Sequence, residues 1–244
     1  MICLTDILPP LPSTVIGCQI QTLTDCYQNL PGFLSLYLSD QGGILCRFED
    51  RLLICGRVDA IELRNFVSMI GIAVIEALEP DLNELDGYVA SKHIVLQYQA
   101  AHRLPDDGTI KPLANPKCLY DLICQADPNF KSETSYLPWL SDLTLRRKKG
   151  CSDLFGIEGV TSACVSAKGC GLGLVSQLVT HPNFRCRGLA AKLLSHICDC
   201  LLAESLTPII MAQNEMLTRF YRRNGFTPCD RYITLRREQK EPPP

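Results

Sequence analysis

Residues 178–226 constrain this chain more than any other stretch, because strand, turn, helix, strand and helix follow one another there without slack. Leu178-Val179-Thr180 is a short apolar run ending at His181-Pro182, and proline cannot donate to a sheet ladder, so a strand stops there. Beyond Arg185-Cys186-Arg187-Gly188-Leu189-Ala190, apolar residues recur at Leu189, Leu193, Leu194, Ile197 and Leu201, which is helical spacing. A turn with basic residues and a glycine therefore opens a helix directly after a strand. The first N–H groups of a helix lack internal partners and carry the positive end of its dipole, so such a turn can cradle phosphate oxygens. A side chain at Gly188 would hold those phosphates away from the backbone. Taken alone, the pattern R-x-x-G-x-A fits an ordinary strand–turn–helix connection equally well.

The second half of the stretch narrows the choice. Residues 207–212 read as a buried strand with a proline near its start. Asn214 stands where a helix N-cap belongs, ahead of 215–223, and Asn224-Gly225 supplies the residue types that tolerate a left-handed helix end. Together these features resemble the core of the GNAT N-acyltransferases, the acetyl-coenzyme A-dependent superfamily. The family's first signature is a strand ending in V-x-P and then R-x-x-G-x-G/A; here Thr180-His181-Pro182 precedes Arg185, Gly188 and Ala190. Its second is an Asn seven residues before a Tyr that leads into Gly-Phe, matched by Asn214, Tyr221, Gly225 and Phe226. Thr replaces the Val of the first signature and Ala its second Gly.

The remaining composition bounds the alternatives. A chain of 244 residues with 46% hydrophobic and 20% charged residues can bury a sizeable core as one large domain or two small ones. Its net charge of −2 gives no global basic field for nucleic acid. The 14 cysteines show no C-x-x-C pair and no Cys/His ligand spacing, which supports neither zinc nor a disulfide framework, and reduced thiols in a cytoplasm fit best. No apolar run reaches membrane-spanning length, and the first residues lack the pattern of a signal peptide.

Ahead of the central stretch, a helix is expected over 13–26 with Ser13 or Thr14 as cap, then three antiparallel strands at 33–38, 43–48 and 52–55. A helix over 60–69 capped by Asp59, a strand at 72–77 and another within 88–100 follow. This order is that of a partial, degenerate acyltransferase half without an R-x-x-G-x-A turn, or equally of an unrelated α+β domain. The turn-rich residues 104–116 suggest a boundary, giving a companion domain over 1–112, an acetyltransferase domain over 113–236 and a disordered tail over 237–244. The expected class is α+β, a mixed sheet. Helices are expected over 116–125 and 136–149, the latter ending in Arg146-Arg147-Lys148-Lys149, read as a solvated last turn or a binding patch. Strands are expected at 152–156, 160–165, 172–180 and 231–235. The glycines at 169, 171 and 173 belong to a hairpin, not a phosphate loop, because they join two strands.

The resemblance implies a chemistry residue by residue. Backbone groups of Leu178, Val179 and Thr180 would bind pantetheine and the acyl carbonyl. The turn formed by Arg185, Cys186, Arg187, Gly188, Leu189, Ala190 and Ala191 would hold the pyrophosphate. Asn214 would bond the pantetheine arm, its alternative role being the helix cap alone. Tyr221 would protonate the departing thiolate as general acid, its alternative role being a core aromatic beside Phe220. By the same resemblance Tyr136, Trp139 and Asp142 would face the acceptor. No general base stands out: Glu158, Asp142 and His181 are candidates, and a neutral amine needs none. The implied activity is acetyl transfer from acetyl-coenzyme A to a primary amine in a ternary complex, without a metal and without nucleic-acid or membrane partners. A coenzyme A-binding sensor without turnover is the alternative.

Overall fold

A computed structural model of the chain describes residues 1–30, 32–79, 81–82, 84–99, 104 and 107–238. In the first half, β1 (Cys3–Thr5) precedes α1 (Val15–Tyr27), which opens where the Thr14 side chain accepts from the Gly17 N–H. The meander β2 (Leu34–Leu38), β3 (Ile44–Phe48) and β4 (Arg51–Cys55) is antiparallel throughout. Next come α2 (Ala60–Ile70), capped by Asp59, then β5 (Val74–Leu78) and β6 (Tyr88–Tyr98). The second half contains β7 (Lys111–Pro112), α3 (Pro116–Ala126), the single turn α4 (Phe130–Glu133) and α5 (Tyr136–Lys148). It continues with β8 (Asp153–Ile157), β9 (Thr161–Gly169), β10 (Leu172–Thr180), α6 (Leu189–Ala203), β11 (Thr207–Ala212), α7 (Glu215–Arg223) and β12 (Phe226–Arg237). Cys170 and Gly171, both at positive φ, close a two-residue hairpin between β9 and β10, which accounts for Gly171, whereas Gly169 and Gly173 lie so close to Gln21 and Leu201 that a Cβ would come within 2.8 and 2.5 Å of them.

Among the described residues the strands form one 12-stranded sheet, in the order β1-β2-β3-β4-β5-β12-β6-β11-β10-β9-β8-β7. Its two ends repeat each other. The parallel pair β4/β5, linked through α2, corresponds to the parallel pair β10/β11, linked through α6. Between them the last strands of the two halves change places: β12 pairs with β5 and β6 pairs with β11, while β6 and β12 pair antiparallel with each other. Each half is thereby completed by a strand of the other. This explains why the final strand spans Phe226–Arg237 and not only 231–235: it has a ladder on both edges. The Glu238 N–H extends it by donating to the Gly87 carbonyl. The rest of the tail expected from 237 onward lies outside the described residues.

Helices cover both faces. On one face α1 packs with Leu53, Leu78, Val95, Leu174, Ile209 and Tyr232 into a shared core. On the other, α2 packs against Leu52, Ile54, Ile75, Ile233 and Leu235, and α6 and α7 pack against Leu96, Val175, Ile210 and Phe226. The basic end of α5 is not simply solvated. Arg146 bonds Asp142 at 2.7 Å and the Ser166 carbonyl at 3.1 Å. Arg147 bonds the carbonyls of Leu113 and Ala114, both at 2.9 Å. The guanidinium groups thereby tie α5 to the loop before α3 and to β9.

Because β12 fills the gap between β5 and β6, the two halves are expected to unfold together in urea as a single transition. Ile233→Ala, a truncation at a fully buried site of β12, should lower stability by about 2–5 kcal/mol. Two separated transitions monitored by circular dichroism and tryptophan fluorescence would contradict the shared sheet.

Candidate functional site

The site begins where a ladder ends. β10 and β11 are hydrogen-bonded from Leu172↔Thr207 to Val175↔Ile210, and no pairing between them continues beyond that point although β10 runs on to Thr180. On its other edge, β10 follows β9 with an irregularity between Ser176 and Val179, and Gln177 sits at φ 52° within it. A residue in the left-handed region inside a strand is the mark of a bulge, which bends the strand away from its neighbour. The β11-facing edge of residues 176–180 is thus left open. Val179 points toward the cluster formed with α3 and α5, and Leu178 toward the α6 and α7 side. Thr161 holds the far end by donating to the Val179 carbonyl at 3.0 Å, and its hydroxyl lies 2.9 Å from that of Thr180.

Beyond Thr180, a single 3₁₀ turn at Pro182–Phe184 leads into the basic turn. Cys186 and Gly188 both have positive φ, at 60° and 75°. Gly188 is the N-cap of α6, and no side chain caps that helix; its first turn carries no acidic residue. A Cβ at Gly188 would meet nothing within 4 Å, so the residue faces open space. A 280 Å³ cavity lies there, lined by Thr180, Arg185, Cys186, Arg187, Gly188, Leu189, Ala190, Ala191 and the rings of Phe184 and Phe220. Uncapped N–H groups, an open glycine and two arginines fit a pyrophosphate. Arg185 also donates to the Thr180 carbonyl at 3.3 Å, and Arg187 lies over the Phe184 ring at 5.3 Å.

The equivalent turn of the first half is built the opposite way. There the Gly56 N–H donates to the Asp81 carboxylate at 3.0 Å, and the Ile61 and Glu62 N–H groups donate to Asp59 at 3.0 and 2.9 Å. Its own carboxylates fill the place an anion would take. Among the described residues, that half also has no helix corresponding to α7 between β5 and β6.

A second cavity of 270 Å³ opens at the splay itself. Ser176, Gln177 and Leu178 of β10, Met211 of β11 and Tyr221 of α7 form one side of its lining. Tyr221 is buried, edge-on to Phe220 and tilted against Phe226, and burial pushes its phenol up to about 12, so the hydroxyl keeps its proton at neutral pH. Phe220 lines the cavity at the basic turn and Tyr221 the one at the splay, so the open edge of β10 runs from one to the other. Asn214 caps α7, its Oδ1 accepting from the Leu217 N–H at 2.9 Å, while its amide NH₂ retains two donors.

The other side of the splay cavity comes from residues that sequence reasoning missed: Glu76 of β5, His93 of β6, and Tyr232 and Thr234 of β12. Glu76 is bound by Arg51 at 2.5 Å, and Tyr232 donates to Gln19 of α1 at 3.3 Å. Burial lowers the affinity of His93 for a proton, only partly offset by the Glu76 charge. None of the bases weighed from sequence reaches this cavity. Glu158 is bonded by the Cys118 thiol at 3.0 Å, and His181 accepts from the Asn183 N–H at 3.2 Å. Asp142 accepts from Tyr27 at 2.6 Å. Asp142 and Trp139 instead line a 710 Å³ groove with Tyr27, Phe33, Phe48 and Arg51, whereas Tyr136 packs on Tyr120. Arg51 in the groove and Glu76 in the splay cavity are partners, so one ion pair forms a wall common to both. Among the described residues, no group of three or more His, Cys, Asp or Glu is placed to hold a metal, and no helix is long and apolar enough to cross a membrane.

Residues 150–228 match the family model described as an acetyltransferase (GNAT) domain. No curated protein sequence matches the chain. Solved structures share its fold along nearly its whole length. A GCN5-related N-acetyltransferase from Kribbella flavida is 14% identical with a TM-score of 0.62, covering 96% of this chain and 98% of that one. A second GCN5-related N-acetyltransferase, from Sphaerobacter thermophilus, is 15% identical with a TM-score of 0.55, covering 94% and 96%. A tandem GNAT protein from the clavulanic acid biosynthesis pathway is 12% identical with a TM-score of 0.55, covering 99% and 100%. Residues 150–228 are therefore similar to a GNAT acetyltransferase domain, and the chain as a whole shares the fold of solved GNAT N-acetyltransferases.

Proposed function

We propose that the protein transfers an acetyl group from acetyl-coenzyme A to a primary amine, directly and in a ternary complex. The observation that carries this reading is the open edge of β10 at residues 176–180, with a basic, uncapped helix turn at one end and a buried protonated phenol at the other. In this reading the N–H groups of residues 186–191 with Arg185 and Arg187 hold the pyrophosphate. Pantetheine lies along Leu178, Val179 and Thr180, replacing the ladder that β11 leaves off, with the Asn214 amide donating to it. A backbone N–H at the splay polarises the thioester carbonyl and stabilises the oxyanion of the tetrahedral intermediate.

The amine attacks that carbonyl, the C–S bond breaks as the carbonyl re-forms, and the Tyr221 hydroxyl gives its proton to the leaving thiolate. Cys186 sits in the phosphate turn, away from the splay cavity, so no acyl-cysteine step is needed. The acceptor reaches the site from the opposite face of the sheet through the groove lined by Tyr27, Phe33, Phe48 and Trp139, whose aromatic walls suit an amine carried on an apolar body. The second half acts as the catalytic unit and the first as its companion.

Calorimetric titration should show micromolar binding of acetyl-coenzyme A that is lost in Gly188→Glu, which puts a carboxylate into the anion cradle. No binding by the unaltered protein would remove the proposal. Tyr221→Phe should keep that binding while kcat falls by about 100-fold, the lower range for loss of a general acid. Unchanged turnover in that variant would make Tyr221 a core aromatic only, and a protein that binds without any turnover would be a coenzyme A sensor.

A further inference from the structure

Resting on that reading, we infer that the proton acceptor for the amine is supplied by the first half of the chain: His93 of the exchanged strand β6, with Glu76 and Tyr232 fixing the wall around it. His93 lines the splay cavity together with Tyr221 and the open edge of β10. It lies two residues before Val95, and strand alternation puts both on the face covered by α1. Tyr221 belongs to the core on the opposite, α6 and α7 side. A base on the acceptor side and an acid on the thioester side is a division of labour that suits amide formation from a thioester.

The other titratable groups that face His93 are each committed elsewhere. Glu76 of β5 is held by Arg51 at 2.5 Å, so its carboxylate is engaged in that ion pair. Tyr232 of β12, whose ring lies 6.2 Å from that of His93, is fully buried, its phenol raised well above its ordinary value by burial, and it donates to Gln19. Arg236 of β12 disfavours the charged imidazole and Glu76 favours it, but burial acts first and the net direction is down from 6.5. His93 is therefore neutral at pH 7 and free to take a proton. Attack by the neutral amine forms the N–C bond and leaves a positive nitrogen beside the oxyanion. His93 removes one proton from that nitrogen, collapse expels the thiolate, and Tyr221 protonates the sulfur. His93 then releases its proton to solvent and Tyr221 regains one, so the products are an amide and free coenzyme A.

The test uses the full chain with acetyl-coenzyme A and 2-phenylethylamine as probes. In protein carrying ¹³C-labelled histidine, the His93 ring signal is identified by its loss in His93→Gln. It should titrate below pH 6.5 and shift when acetyl-coenzyme A saturates the site. Thiol release, followed with and without the amine, should rise with pH through that same midpoint. His93→Gln should lose about 100-fold in kcat together with this acid limb, while its calorimetric affinity for acetyl-coenzyme A stays unchanged. A ring signal indifferent to bound acetyl-coenzyme A, or a variant that keeps both rate and acid limb, overturns the assignment and leaves the acetyltransferase reading standing. Absence of acetyl-coenzyme A binding in the unaltered protein overturns both.

Discussion

The ladder between β6 and β12 is the interaction on which everything else rests. It runs from Phe226↔Tyr98 to Arg237↔Tyr88, and on its outer edges the same two strands bind β11 and β5. The ladder pairs 11 residues of each strand, with one irregularity between Pro228 and Asp230, so the two halves cannot drift apart without breaking its backbone hydrogen bonds. The side chains reinforce the link: Tyr232 joins the core under α1, while Ile233 and Leu235 join the one under α2. One strand therefore nails two cores to each other.

Against that continuous scaffold, the break between β10 and β11 is the exception that matters. Pairing stops at Val175↔Ile210 because the bulge at Gln177 turns β10 aside, not because either strand runs out. The opening joins the two faces of the sheet at one point. On one face the basic turn and α7 approach it, and on the other the groove, the Arg51–Glu76 pair and His93 do. A sheet is otherwise an impermeable wall between ligands on its two sides. In the proposed reaction, a carbonyl bound from one side would meet a nucleophile arriving from the other.

Much of this was legible in the chain because its signals are local. Thr14, Asp59 and Asn214 cap the helices assigned to them, and Pro182 and Gly188 end a strand and open a helix as their backbone constraints require. The residues expected at the phosphate turn do line one cavity, and Tyr221 lines the next. The strand exchange was not legible. Alternation identifies 88–98 and 226–237 as strands but says nothing about which neighbour each one takes, since any apolar edge of matching register would serve. The far side of the splay cavity was illegible for the same reason: Glu158, Asp142 and His181 all lie in the second half, whereas Glu76 and His93, which line the cavity, come from the first. The signal that could have found them is a titratable residue interrupting an apolar strand, as Glu76 does between Ile75 and Ala77. The short elements β1, β7 and α4 lie below the length at which periodicity carries information.

The exchanged strands also set an order of events during synthesis. When β5 and β6 have left the ribosome, they cannot become neighbours in the native way, because the strand that belongs between them is the last to be made. Until β12 emerges, the first half presents two unpaired edges with buried-type side chains such as Ile75, Ala77, Val95 and Leu96. The native contact that closes the molecule spans more than half the chain, so closure is slow compared with formation of the β4–α2–β5 and β10–α6–β11 units. The nascent first half thus keeps those edges open until the 12 residues of β12 are in place.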